Sequence, residues 1–137
     1  MKNHLFLWIG GLCLMLSPVR AAEEHTALEN QMESMDDAFK GFRRETDPVK
    51  GAAQAREAQV SALKSAMELP AMVKAMPDGP EKAKASTEYR KMMGKLFVAF
   101  CEVEEAFLGG KMEDVTTIVN TLKDMKKAGH DKFIKEE

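Results

Sequence analysis

The chain has little cysteine, and this limits how it can be stabilised. Among its 137 residues are two cysteines, and Cys13 lies in an N-terminal apolar run that we expect to be removed. Only Cys101 would then remain, so no disulfide could form within the domain even in an oxidising compartment. A small domain without disulfides depends on its core or on a bound cofactor for stability.

The chain also lacks an apolar run long enough to span a membrane. The run over residues 5–16 has twelve residues, whereas a spanning helix needs about 20. It follows Lys2 and precedes small residues at 19 and 21, a pattern typical of a secretory signal peptide. We therefore predict a cleaved signal over residues 1–21, one domain over residues 22–137, and a periplasmic location in a Gram-negative bacterium without membrane insertion.

Charge of one sign is not in excess, and several functional motifs are missing. Removing Lys2 and Arg20 leaves 18 basic residues against 22 acidic ones. Such a mildly acidic domain does not favour DNA or an anionic membrane, so we expect no nucleic-acid partner. The sequence has no glycine-rich phosphate loop, no CxxC pair and no alternating strand pattern. It does have ten methionines besides Met1 and few β-branched residues, which favours helices.

Apolar residues at alternating steps of three and four predict four amphipathic helices. The first begins at Thr26 with a capping box, the second begins at Asp47-Pro48, and the third follows Pro80 and ends at Gly109-Gly110. The fourth is predicted to end near Lys135. The predicted inward seams are Leu28, Met32, Met35, Phe39 and Phe42; Val49, Ala53, Arg56, Val60, Leu63 and Met67; Tyr89, Met93, Leu96, Phe100, Val103 and Phe107; and Val119, Leu122, Met125/Lys126, Gly129/His130 and Phe133.

This pattern predicts an all-α fold, an antiparallel up-down-up-down four-helix bundle. Its one long connection covers residues 70–80, and residues 71–76 are apolar enough to form a helical turn there. The topology brings the start of the first helix and the end of the fourth to the same end of the bundle.

His130 and Met32 are the candidate functional pair at that end. An imidazole on an inward stripe is a metal ligand, a proton carrier or a hydrogen-bonded core residue, and each needs a partner. Met32 lies about 9 Å into the first helix and His130 about 8 Å before the end of the fourth. A thioether and an imidazole at similar depth can be the two axial ligands of a haem iron. The predicted walls of this pocket are Leu63, Met67, Tyr89 and Met93.

The chain resembles the cytochrome b562 family, soluble periplasmic four-helix bundles. The matching pieces are LENQMESM at 28–35, PDGPE at 77–81, GK at 110–111 and TLKDMKKAGHDKF at 121–133. The resemblance implies one non-covalent haem b (iron protoporphyrin IX) per chain, iron ligation by Met32 and His130, and electron transfer to a redox protein that the sequence does not identify. The chain has no CxxCH motif, so covalent haem attachment is not expected.

Two departures from the family pattern concern the haem edge. Lys126 stands where the family tends to have arginine, and we expect it to contact a haem propionate as a point charge. Gly129 stands where an aromatic residue commonly precedes the histidine, so we expect a looser or more exposed haem.

The main alternative is a haem-free binding module. Met32 and Met35 could contribute to a Cu(I) site, because thioethers select that ion, or the bundle could be a stress or chaperone-like protein. The methionines are dispersed along the predicted seams, which argues against a Cu(I) cluster. An enzyme is not expected, because a haem peroxidase needs an open axial position and a polar distal group. We expect a monomer.

Overall fold

The computed structural model describes residues 26–134, which form a four-helix bundle with one additional short helix. The helices are α1 (Ala27–Phe42), α2 (Pro48–Ala66), α3 (Ala71–Lys74), α4 (Pro80–Leu108) and α5 (Met112–Phe133). The predicted antiparallel four-helix bundle is confirmed, and α3 is the helical turn expected in the long connection. The predicted signal peptide lies outside the described residues. Within them, no helix is both long and apolar enough to cross a membrane.

The helix ends follow from local hydrogen bonds. At the start of α1 the Thr26 hydroxyl accepts from the Glu29 N–H at 3.2 Å, and the Glu29 carboxylate accepts from the Thr26 N–H at 2.6 Å. Asp47 accepts from two backbone N–H groups in the first turn of α2, each at 2.9 Å. After α4, Gly110 has φ of 67°, a left-handed conformation that glycine adopts without a steric cost. The predicted starts and the predicted stop are therefore confirmed.

The large core residues come mainly from α1, α4 and α5. The predicted seams of α1 and α4 face inward, with only Leu28, Met32 and Leu96 half-buried. The buried large side chains are Met35, Phe39, Phe42, Val73 of the short α3, Tyr89, Met93, Phe100, Val103, Phe107, Val115, Val119, Leu122 and Phe133.

The predicted inward seam of α2 is wrong. That helix buries its small residues instead, namely Gly51, Ala52, Ala55, Ala58, Ser61, Ala62 and Ser65. The predicted seam lies on the outer face, where the exposed fraction is 52% for Leu63 and 85% for Met67. The physical reason is space: small side chains let the α2 backbone approach α1 and α4 closely, and large ones would hold it away. Leu63 and Met67 therefore do not form walls of an interior pocket.

The helices are not equally close to one another. The α2 backbone packs closely against both α1 and α4, and α5 packs against α4. In the described part of the chain, α1 and α5 are not among the closely packed pairs. The side of the bundle between α1 and α5 is therefore its loosest side.

We predict that Gly51→Ala destabilises the protein although alanine is the better helix former. A Cβ atom at Gly51 would overlap the buried ring of Phe107. We expect the overpacking to lower the free energy of unfolding by about 1–3 kcal/mol, despite a helix-propensity gain of about 1 kcal/mol. Denaturant unfolding measures the difference.

Gly94→Ala is the matched control, since a Cβ atom at this exposed position on α4 meets nothing within 4 Å. We expect it to raise the free energy of unfolding by about 0.5–1 kcal/mol. Equal stabilisation by both substitutions would contradict the close approach of α2 to Phe107.

Candidate functional site

An ion pair between Asp36 and Lys126 connects α1 to α5. The Lys126 ammonium donates to one carboxylate oxygen of Asp36, and the Lys40 ammonium lies 2.8 Å from the other. Partial burial by itself raises the pKa of Asp36, but the hydrogen bonds from Lys126 and Lys40 outweigh it and hold the pKa below its usual value. The carboxylate is therefore charged at neutral pH and links the two helices on the loosest side of the bundle.

This ion pair indicates the register between the two antiparallel helices. Met32 lies one turn before Asp36 on α1, and His130 lies one turn after Lys126 on α5. Residues four apart share a helix face. Because α1 and α5 run in opposite directions, the step back from Asp36 and the step forward from Lys126 lead to the same level of the bundle. Met32 and His130 therefore lie one turn beyond the ion pair in the same direction along the bundle, and their pairing stays a prediction.

The two members of the pair differ in burial. Met32 is half-buried and packs against the core, as predicted. His130 is exposed, whereas the sequence analysis placed it on the inward stripe. The buried side of α5 passes instead through Leu122, the half-buried Gly129 and Phe133. His130 is offset from this stripe by one residue, which puts it at the edge of α5 on the side of Lys126.

Tyr89 and Met93 of α4 lie in the core, as predicted. The Tyr89 hydroxyl donates to the Ser65 carbonyl oxygen at 3.0 Å, which joins α4 to the end of α2. Its ring meets that of Phe133 edge-to-face, with the centroids 5.4 Å apart. Burial, together with the charge of Glu68, raises the pKa of Tyr89 to about 12. Tyr89 is therefore a neutral anchor that joins three helices at this end of the bundle.

Two neighbours of the candidate pair were missed by the sequence analysis. Asp36 was not singled out, although its position one turn after Met32 was a usable signal. The side chain of Met92 on α4 ends 3.2 Å from where a Cβ atom at Gly129 would lie. Glycine thus lets Met92 reach α5 beside His130, and this contact depends on the distance between the helices, which periodicity does not contain.

The residues at this end suit a haem. A thioether and an imidazole, the Met/His ligand combination, are carried by α1 and α5, two helices that do not pack closely. Met93 of α4, a predicted wall of the pocket, is a core residue with an exposed fraction of only 5%. The ammonium of Lys126, predicted to contact a propionate, lies against Asp36. Leu63 and Met67 face outward from α2 and do not line this candidate site.

Comparison with known proteins gives one family. The sequence model of the cytochrome b562 family matches residues 27–134, which is most of the chain. No curated protein matches the chain.

We predict that Tyr89, the only tyrosine of the chain, ionises with a midpoint near pH 12, not near the usual value of 10. The unfolded chain would lose the phenol proton first, so the stabilisation from Tyr89 is fully present below pH 10 and is lost as the pH rises towards 12. Titration of the tyrosinate absorbance measures the midpoint. A midpoint at the value of free tyrosine would contradict the buried hydroxyl.

Tyr89→Phe isolates the hydrogen bond in the same experiment. It keeps the ring against Phe133 but removes the donor to Ser65, so we expect a loss of about 0.5–1.5 kcal/mol in the free energy of unfolding at neutral pH. The difference between the two proteins should shrink from pH 10 to pH 12.

Proposed function

The chain belongs to the cytochrome b562 family of haem-binding electron carriers, and we propose that it is a periplasmic electron-transfer protein with one non-covalent haem b. Met32 of α1 and His130 of α5 would be the axial ligands. The predicted signal peptide and the family's periplasmic location support the proposed compartment.

The observation that carries the ligand assignment is the Asp36–Lys126 ion pair. It joins α1 to α5 one turn from Met32 on the first helix and one turn from His130 on the second, which supports a common level for the two side chains. Because these two helices pack less closely than the others, a flat cofactor could enter between them.

A bound haem would supply an iron that cycles between two oxidation states, and the protein residues would tune that cycle. The thioether of Met32 would favour the reduced metal and would raise the reduction potential relative to ligation by two histidines. Tyr89 and Met93 would exclude water from the inner side. His130 stands at the exposed edge of α5 and would keep one side of the haem near the surface, where electrons can pass to a partner.

We propose that the partner is another redox protein, which meets the bundle at this exposed edge. Lys127 is the exposed cation next to Lys126, and its ammonium lies 3.1 Å from Asp131. Cations at such a rim affect the rate of encounter and its salt dependence more than they affect affinity. No observation favours the haem-free binding module, and the family membership speaks for haem.

We predict that hemin titration of the purified chain gives saturable low-spin spectra at one equivalent, in both the oxidised and the reduced states. His130→Ala should weaken hemin binding by at least about 100-fold, because the imidazole that it removes is a stronger iron ligand than the thioether of Met32. Met32→Ala should keep hemin but shift its spectrum towards high spin, because one axial position opens.

Met112→Ala is the control for that titration. Met112 is the first residue of α5, at the opposite end of the bundle, and is 37% exposed. Its replacement should leave both affinity and spin state unchanged. A wild-type spectrum in His130→Ala, or the absence of stoichiometric hemin binding to the wild-type chain, would refute the proposed ligation.

We predict that Asp36→Asn weakens hemin binding by about 3–10-fold without changing the spin state of the bound form. The substitution removes the negative charge that binds Lys126, so α5 is held less firmly in position against α1. We expect an effect similar to the loss of a residue that orients a metal ligand. Hemin titration at neutral pH measures it.

Asp37→Asn is the matched control, since the neighbouring carboxylate is 68% exposed and contacts only Lys40 in the described residues, at 3.4 Å. It should leave the hemin affinity unchanged. Equal affinities in the two variants would contradict a role for the Asp36–Lys126 pair in setting the register.

A further inference from the structure

The outer face of α2 carries an apolar row that no other part of the described chain covers. The exposed fractions are 74% for Val49, 47% for Val60, 52% for Leu63 and 85% for Met67. Together with Ala53 and Arg56 these residues follow steps of four and three over nineteen residues, 49–67. We call Val49, Ala53, Arg56, Val60, Leu63 and Met67 the α2 seam.

The spacing of the α2 seam is that of one strand of a coiled coil. In a helical bundle, apolar residues with this spacing normally face the core. Here the core side of α2 is occupied by glycine, alanine and serine. A contiguous exposed apolar row of this kind is typical of a protein–protein contact. The pattern that predicted an inward seam thus predicts a helix partner outside the chain.

We propose that the α2 seam packs against the same seam of a second copy of the chain, with the two α2 helices antiparallel around a two-fold axis. This contact needs no haem, so it stands independently of the proposed function. It replaces the monomer expected from the sequence, in which the seam was placed inside the bundle.

The charges beside the α2 seam favour a second copy and select its register. Glu57 and Lys64 are exposed on the same flank, seven residues apart, and neither makes an ion pair within residues 26–134. In an antiparallel pair centred between Val60 and Leu63, each Val60 meets Leu63 of the other copy. Glu57 of each copy then stands opposite Lys64 of the other, twice by symmetry.

A register shifted by one heptad is disfavoured by the same charges. Placing Val49 opposite Met67 would bring Glu57 against Glu57 and Lys50 against Lys64. Like charges across a contact reduce its stability. The flank is therefore complementary to itself in the register centred between Val60 and Leu63.

Arg56, the one charged member of the α2 seam, is already paired within its own chain. Its guanidinium donates to Glu104 of α4, whose other oxygen accepts from Gln59 at 2.6 Å. These hydrogen bonds from Gln59 and Arg56 hold the pKa of Glu104 below its usual value. With its charge turned towards α4, Arg56 offers its aliphatic stem to Met67 of the second copy.

The test is sedimentation equilibrium of the purified chain, with and without bound haem, in reducing buffer from about 1 μM to about 1 mM, the range of weak contacts. We expect the average mass to rise from one chain to two with concentration. Leu63→Lys should weaken dimerisation by at least about 100-fold, because each dimer loses two buried leucines. A wild-type chain that stays monomeric over the whole range would overturn the proposal and leave the seam to a different protein.

Ile134→Lys is the matched control, since Ile134 is 55% exposed and follows α5, the helix that does not pack against α2. It should leave the dimer constant within about threefold. Cys101→Ser should also leave it unchanged, since the reducing buffer excludes a disulfide, and loss of the dimer in that variant would overturn the proposal by placing the contact on α4 around Cys101.

Charge reversal tests the antiparallel register. Glu57→Lys and Lys64→Glu should each weaken the dimer by about tenfold, because each creates two like-charge contacts. The double variant Glu57→Lys/Lys64→Glu should return to within about threefold of the wild type. Failure of the double variant to recover would contradict this arrangement of the two helices.

Discussion

The close approach of α2 to α1 and α4 depends on small side chains, and the remaining packing follows from it. Gly51, Ala55, Ala58 and Ala62 leave no bulk between the helix backbones, so the rings of α1 and α4 fill the interior. Gly51 shows how little space remains between the helices, since even one added carbon atom at this position would overlap Phe107. Because this half of the bundle is tightly packed, the looser side lies between α1 and α5.

The looser side is held by charge, where the other sides are held by close packing. Asp36 receives hydrogen bonds from Lys126 and Lys40, and its lowered pKa keeps it ionised at neutral pH. An exposed ion pair of this kind contributes little to stability, but it defines which residues of α1 and α5 face each other. A cofactor inserted there would add the contacts that this side lacks, which suits a domain without disulfides.

The two proposed contacts use different sides of the molecule. The haem would lie between α1 and α5, whereas the α2 seam faces outward from a helix that contacts α1 and α4. A dimer through α2 would therefore leave the exposed edge at His130 accessible to a redox partner. The small residues on the inner face of α2 account for the exposed α2 seam, because the large apolar side chains of this helix are left facing solvent.

Much of the fold could be read from the sequence because its signals are local. The capping box at Thr26, the acid at Asp47 and the glycine at 110 act within a few residues, and each end was predicted where it is found. The prediction that Met32 pairs with His130 came from counting residues along antiparallel helices. Long seams of large side chains on α1 and α4 were likewise sufficient to identify their inward faces.

The sequence by itself determined the helices and their order. Only the tertiary structure decided which face of α2 is buried, since that depends on how near its neighbours come and not on the size of its apolar residues. It also placed His130 at an exposed edge and joined Asp36 to Lys126, ninety residues away along the chain. Contacts between distant residues depend on the packing of whole helices, and local periodicity carries no record of them.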